Sequence, residues 1–473
     1  MIAPVVAIEQ VDYDRRRTRR GIVHLGTGDF HRAHQAVFID RLMRTGNLDW
    51  GITAVGLREE DREAREEYWQ QEREYTLVEP DPVGPPSVTR VGSVVDYLYA
   101  PDEGISVIDR LANPTTKIVT LRIADGGRGA SAARAELAVA EPTVATEVAK
   151  PGDPCTVFSL VVAGLQRRRA AGTPPFTIVA CDDVARNGVA ARRAFVEYAR
   201  AIDADLAAWI AAEVAFPNSV VDRTEAPPTD AERRRMRKIF GIDDTRAVVS
   251  ERRPMWVIED VFRLGRPPLE EVGVRMVNDV TPYQEMKTRI FDGARLALAY
   301  TGLLSGFKRT DKAIGDPALA ALVTSYLDRE AVGTIASVPR VDVLQYQASV
   351  VERLRNPFVH DGLAALAVDG SERITASLVP VALYRSQRGL RSPMVARVIA
   401  AWARYADAAL VDGRFELHDR QADALRDALD HQNYSDAGFL ENQEWFGALS
   451  QDLHFSADFA AAYRALDQRV GAA

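Results

Sequence analysis

The stretch GIVHLGTGDFHRAHQAVFIDRLMRTG, residues 21–46, constrains this chain most. Gly21 to Leu25 is a short apolar run with β-branched residues, which predicts a buried strand. Gly26-Thr27-Gly28 follows as a turn, and Phe30 to Leu42 reads as a helix. Strand, Gly-x-Gly, helix is a dinucleotide-binding arrangement, because glycines let the backbone approach a pyrophosphate at a helix start. Gly26, Thr27, Gly28, Asp29 and Phe30 are therefore candidate cofactor residues. Two features strain the pattern. His31 stands where a third glycine is expected, and Asp29 would repel a pyrophosphate, although Asp is also a good N-cap.

The same alternation continues to about residue 220. Gly51–Leu57 reads as a second strand and residues 62–74 as a charged helix. Tyr75–Val78 and Val88–Val94 read as strands, and Lys117–Ile123 as a further buried one. Val157–Ala170 is a helix, Phe176–Ala180 a strand, and 189–213 one long helix. Strands alternating with helices predict a parallel sheet in an α/β domain. Beyond the second strand stand Arg58 and Glu59. An acid there binds an adenosine ribose and an arginine holds a 2′-phosphate, so NAD and NADP both stay open. The break ADGGRG (124–129) and the Ala- and Pro-rich stretch 130–154 carry no clear pattern. Residues 1–20, with the basic run Arg15–Arg20, read as a solvated lead-in, and the charged stretch 228–248 as a mobile insertion.

At 473 residues the chain exceeds one ordinary core. After residue 280 the pattern turns helical, which predicts a dinucleotide-binding domain over 1–279 and an α-helical substrate domain over 280–473. A formal net charge of −8 argues against nucleic-acid and anionic-membrane partners. Two cysteines and seven histidines leave little for a metal centre, so no metal is expected. No segment reaches 18 apolar residues, which with the two cysteines predicts a cytoplasmic protein.

The second domain opens on VTPYQEMKTRIFDGARLALAYTGLLSG, residues 280–306. Thr281 is a candidate N-cap with Pro282 at the first helical position. At about 100° per residue, Gln284, Lys287, Phe291 and Arg295 share one side, with Asp292 at its edge. Such an arc is a candidate active-site wall. The competing reading is a core helix whose charges are solvated, with Asp292 and Arg295 paired at i,i+3.

Six stretches together resemble the long-chain polyol dehydrogenases, the family of mannitol 2-dehydrogenase, arabinitol dehydrogenase and fructuronate reductase. They are IVHLGTGDFHRAHQ (22–35), CDDVARNG (181–188), PNSVVDR (217–223), WVIEDVF (256–262), RPPLEEVGVRMVNDVTPYQEMK (266–287) and NPFVHDGLAALAVDGS (356–371). The resemblance implies a Rossmann-type N-terminal domain, a helical C-terminal domain, and NAD- or NADP-linked interconversion of a secondary alcohol and a ketone. It also implies a small-molecule polyol or ketose substrate, no catalytic metal, and a monomer. The family's catalytic lysine falls on Lys287. A lysine in a cleft beside a cationic nicotinamide can take the hydroxyl proton, and donors then hold the alkoxide.

The site departs from the family pattern. An asparagine expected five residues after the lysine is Asp292, and a histidine expected eight after it is Arg295. A second asparagine is Asp183, and the acidic residue three before the lysine is Gln284. On the substrate side, an expected arginine is Ala365 and an expected lysine is Arg373. The expected catalytic set is thus Lys287, Asp292, Arg295 and Asp183, with Arg373, Asn187, Asp222 and Arg223 toward substrate. Two other readings remain. Arg295 and Arg373 would clamp an anionic, uronate- or phosphate-bearing substrate, or the chain would be a catalytically silent dinucleotide binder. Asp222 and Arg223 paired only with their surroundings is the plain alternative for those two.

Overall fold

The computed structural model describes residues 7–81, 84–123, 142–149, 156–226 and 228–470. The chain divides into two compact units, Met1–Thr281 and Pro282–Ala473. The stretch 124–129, most of 130–154 and Cys155 lie outside the described residues, but Pro142–Ala149 is a helix.

The first unit contains thirteen strands among its described residues. They are β1 (Ile8–Glu9), β2 (Ile22–Leu25), β3 (Ile52–Gly56), β4 (Tyr75–Glu79), β5 (Ser87–Val91), β6 (Val94–Tyr99), β7 (Ile118–Leu121), β8 (Thr177–Ala180), β9 (Ser219–Asp222), β10 (Glu225–Ala226), β11 (Val248–Ser250), β12 (Met255–Glu259) and β13 (Arg275–Val277). The predicted parallel sheet has the order β6-β3-β2-β7-β8. Its strands β2, β3, β7 and β8 are buried on both faces, so they read as continuous apolar runs. Val23, Leu25, Val119, Leu121 and Ile178 face one core, which includes the helices Val157–Ala170 and Asn187–Ile202. Ile22, Ile52, Ile118 and Val179 face the other, which includes the helix Gln35–Arg44. This alternation is the period of two that a strand imposes.

Two further sheets, β1-β5-β4-β11-β10 and β13-β12-β9, mix parallel and antiparallel pairs. They correct several expectations. The run 88–94 is two strands in different sheets. The chain turns at Gly92, where a Cβ would lie 2.8 Å from Val11 and 3.0 Å from the Tyr13 hydroxyl. The basic lead-in is not all solvated, because Arg15 donates to the carbonyls of Glu72, Arg73, Gly92 and Val94. The charged insertion is built into the unit. It forms the helix Asp230–Phe240 and then β11, which pairs in parallel with β4.

Two predicted helices are divided. Residues 30–42 break at His34 (φ −125°, ψ −86°), between Asp29–Ala33 and Gln35–Arg44. There His34 Nε2 bonds the Met255 carbonyl at 2.9 Å. Residues 189–213 divide at Asp203, whose carboxylate accepts from Asp205 and Leu206 N–H and caps a second helix, Ala204–Glu213.

The second unit is mainly helical. Its helix Pro393–Leu410 packs against Leu453–Val470 and Gly293–Leu304. Trp402 anchors an aromatic cluster with Phe439, Trp445 and Phe446.

Candidate active site: a dinucleotide turn and a lysine on a π-turn

β2 is the centre of the parallel sheet, and chain order reverses between β2 and β7. Ligands of doubly wound sheets bind at such a switch point, beyond the carboxyl ends of the strands. Gly26-Thr27-Gly28 leaves β2 at that place. Gly26 has φ +105°, which favours glycine. At Gly28 a Cβ would meet nothing within 4 Å, so the backbone borders open space. A pyrophosphate can approach there, and the residues present fit a dinucleotide.

Buried side chains hold the turn. Thr27 Oγ1 donates to Asp61 at 2.8 Å, and Asp61 also accepts the N–H groups of Leu57 and Arg58 at 2.9 Å. Asp61 therefore ties the end of β3 to the turn. Arg58 and Glu59, the candidate ribose or phosphate readers, are exposed. Arg58 lies 3.3 Å from Glu60, while Glu59 pairs with Arg62 and accepts from Tyr99. Asp29 is not the N-cap; Gly28 occupies that position, and Asp29 pairs with buried Arg32. That pairing neutralises a charge that would repel a pyrophosphate. Phe30 stacks on His34, with ring centres 5.0 Å apart.

His24 and His31 stack beneath the turn, 3.5 Å apart and 7° from parallel. Burial lowers the pKa of His24 to about 3 and that of His34 to about 3. Burial likewise pushes His31 well below the ordinary histidine range. These rings are neutral packing groups.

Asp183 is exposed beyond the end of β8, whereas its neighbour Asp182 is buried and accepts the Ile123 N–H at 2.9 Å. Asn187 fastens two loops: its amide donates to the Asp182 and Ser219 carbonyls and accepts the Ser219 N–H. Gly188 follows, where a Cβ would lie 2.5 Å from the carbonyl oxygens of Phe216 and Pro217. Asp222 is buried at the end of β9. Arg223 is buried too, bonded to Glu79 and to the Ala33 and Glu251 carbonyls.

In the second unit the predicted single helix is interrupted. It runs as α-helix over Thr281–Met286, as π-helix over Lys287–Asp292, and as α-helix over Gly293–Leu304. Thr281 is the first residue of the helix, and the Asp279 carboxylate accepts its N–H at 2.8 Å. In an uninterrupted α-helix, residues five apart point about 140° away from each other. The wider π-turn brings Lys287 and Asp292 together: Lys287 Nζ lies 3.0 and 3.2 Å from the two carboxylate oxygens. Only 3% of the Lys287 side chain and 12% of the Asp292 side chain is exposed.

Tertiary contacts support the π-turn. Tyr326 donates to the Arg289 carbonyl at 2.5 Å. Gly293 follows closely, where a Cβ would lie 2.1 Å from the Tyr326 hydroxyl. The charges continue outward. Arg295 lies 3.6 Å from Asp292 and grips Asp361 with two bonds of 2.7 and 3.0 Å. Lys287, Asp292, Arg295 and Asp361 thus form an alternating row, in which Asp361 went unnoticed in the sequence. Gln284 bonds Thr288 at 3.0 Å. Arg373 donates to the Leu366 carbonyl from the helix Gly370–Ser377, which packs against the π-turn.

Residues 20–271 match the mannitol dehydrogenase Rossmann domain, and residues 279–467 match the mannitol dehydrogenase C-terminal domain. The chain belongs to the mannitol dehydrogenase family. It is 34% identical to mannitol 2-dehydrogenase of Cereibacter sphaeroides over 462 residues, covering 97% of this chain and 96% of that protein. It is 36% identical to a polyol:NADP oxidoreductase of Gluconobacter oxydans over 370 residues, covering 78% and 76% of the two chains. The structure of Pseudomonas fluorescens mannitol 2-dehydrogenase in ternary complex with NAD and D-mannitol is similar, with 37% identity and a TM-score of 0.86. That match covers 99% of this chain and 96% of the other. A substrate-free D-sorbitol dehydrogenase aligns at 28% identity and TM-score 0.85, over 98% and 96% of the two chains. This member of the family is a Rossmann-type oxidoreductase that acts on a CH–OH group with NAD or NADP. Among the described residues no acidic, histidine and cysteine cluster could hold a metal ion, and no helix is long and apolar enough to cross a membrane.

Proposed function

We propose that Lys287 exchanges the proton while a polyol secondary alcohol and its ketone interconvert, and that Asp292 and Arg295 hold Lys287 ready. The observation that carries this reading is the buried Lys287–Asp292 pair on the π-turn. Held at the Gly26–Gly28 turn, NAD or NADP would supply the hydride acceptor for oxidation, and its reduced form the hydride donor for reduction. Lys287 takes the hydroxyl proton in oxidation and gives it back to the alkoxide in reduction. Asp292 is a positioning residue, because it acts through the ammonium it accepts from. An isolated carboxylate would repel a developing alkoxide; one paired to Lys287 does so far less.

A polyol or ketose suits this row of charges better than an anion. Arg295 already holds Asp361 through two bonds, so two cations face two carboxylates. An anionic clamp would need Arg295 to exchange that partner. Asp183 and Arg373 are assigned to substrate hydroxyls, on the resemblance of their stretches to the family pattern. Asn187, Asp222 and Arg223 are assigned to shaping the loops beside them, since Asn187 and Arg223 are bonded to backbone. We place the enzyme in the cytoplasm as a monomer, on its composition and its resemblance to the family.

Lys287→Met tests the proton role. It should lower kcat by roughly 10²–10⁴-fold, the range for a positioned acid–base group. The affinity for NADH, read by fluorescence titration, should stay near wild type. Near-normal turnover of the polyol that the wild type oxidises would remove the assignment.

A further inference from the structure

The turn that borders the cofactor space is held from an unexpected side. The Thr27 carbonyl accepts from Arg32 Nη1 at 2.8 Å and from Arg246 Nη2 at 3.3 Å. Arg32 lies in the helix that follows the turn. Arg246 is more than 200 residues away, just before β11 of a different sheet. Its backbone is fixed, because Asp244 accepts the Arg246 N–H at 2.8 Å and also binds the Thr76 N–H of β4. Its guanidinium is mostly buried, lies over the Tyr68 ring and sits 3.5 Å from Glu67.

A peptide unit is planar and trans, so its C=O and N–H point in opposite directions. Two guanidiniums that hold the Thr27 carbonyl inward therefore turn the Gly28 N–H outward. Gly28 is where a Cβ would meet nothing within 4 Å. The Thr27 hydroxyl is fixed as well, through Asp61. The peptide that borders the open space is thus held at both its side chain and its carbonyl.

We propose that Arg246 is a positioning residue for the dinucleotide: with Arg32 it fixes the Thr27–Gly28 peptide so that the Gly28 N–H meets the pyrophosphate. This rests on the cofactor lying at the Gly26–Gly28 turn. Preorganising one donor lowers the ordering that binding would otherwise require. The second sheet therefore serves the first: β4 and β11 carry a guanidinium to the cofactor turn.

Arg246→Met keeps an aliphatic side chain and removes the guanidinium. Titrated with NADH and with NADPH by nicotinamide fluorescence, it should bind each at least about tenfold more weakly. The cofactor KM should rise more than kcat falls, and the unfolding midpoint without cofactor should stay near wild type. Arg246→Lys should recover part of the affinity, because an ammonium can still donate to a carbonyl. Unchanged affinity in Arg246→Met overturns the proposal. So does a lost affinity that follows a matching loss of cofactor-free stability and is not recovered by lysine. Gly28→Val separates this inference from the turn itself. If Gly28→Val abolishes binding and Arg246→Met leaves it intact, only the role of Arg246 falls. If neither variant weakens binding, the turn is not the cofactor site.

Discussion

The dinucleotide turn and the lysine turn reach fixed geometry by opposite means. At Gly26–Gly28 the proposed cofactor surface is backbone, and side chains hold it from behind: Thr27 through Asp61, the Thr27 carbonyl through Arg32 and Arg246. At 287–292 the proposed catalytic group is a side chain, Lys287, and it stands on a π-turn. A π-turn aims Lys287 at Asp292, and Tyr326 caps the Arg289 carbonyl of that turn. A backbone surface is broken by adding atoms, whereas a charged pair is broken by removing them. Substitutions should therefore fail differently in the two regions.

The largest effect is expected from Gly28→Val. The space beside Gly28 is open and its φ of −63° suits any residue, so the fold should survive. NADH and NADPH binding should be abolished, because the new side chain fills the space a pyrophosphate needs. Wild-type affinity by fluorescence titration would dismiss the turn as the cofactor surface.

Acid should weaken the first unit before the second. His24, His31 and His34 are buried with pKa values lowered by burial, whereas His418, His431 and His454 of the second unit are exposed and His360 is half-buried. A group whose folded pKa lies below its unfolded value binds more protons when unfolded, so stability falls as pH drops below about 6.5. For His24 and His34 the window extends to about pH 3. Each could remove up to roughly 2 kcal/mol at pH 5. Hydrogen exchange by mass spectrometry at pH 7 and pH 5 would show which unit loses protection. Equal loss in both would mean the buried rings are not the acid-sensitive element.

The lysine pair should show the reverse of the glycine result. Lys287→Met leaves Asp292 buried without its ammonium, a change worth roughly 3 kcal/mol in comparable buried pairs. Adding Asp292→Asn should restore part of the lost stability in a urea titration. If the double variant is no more stable than Lys287→Met, the pair is not the source of the loss.

The smallest expected effect is on the pH profile. Asp292 favours the ammonium form of Lys287, while Arg295, 3.6 Å from the same carboxylate, moderates that influence. Asp292→Asn should let Lys287 release its proton at lower pH. The rise of kcat/KM for alcohol oxidation should move to lower pH. An unmoved profile would mean that Asp292 does not hold that proton.

Much of the first region was legible in sequence. Gly26 stands where the backbone needs positive φ, and residues 22–25 alternate between two cores. The helix Val157–Ala170 begins at a Thr156 cap whose side chain accepts from Ser159 N–H. The support behind the turn was not legible. Arg246 lies in a charged stretch that reads as an insertion, and its role depends on β11 pairing with β4. The lysine helix shows the same division. Its apolar spacing predicts a helix over 281–304, but the π-turn depends on Tyr326, 37 residues from the carbonyl it caps. Local periodicity carries no information about a hydroxyl that tertiary packing delivers. Asp361 was missed for the same reason, since its guanidinium partner is 66 residues away.

A π-turn is also an α-helix that contains one surplus residue. Removing Thr288 would let the segment 281–304 close into regular α-helix. Such a helix would no longer need Tyr326 to cap Arg289. Asp292 would then stand four residues after Lys287, about 40° from it, and Arg295 would stay on the same side. The shorter protein would have the more ordinary helix and the same neighbours. Removing two residues from 287–292, by contrast, would turn Asp292 and Arg295 about 100° away from Lys287, although the segment looks like any other amphipathic stretch.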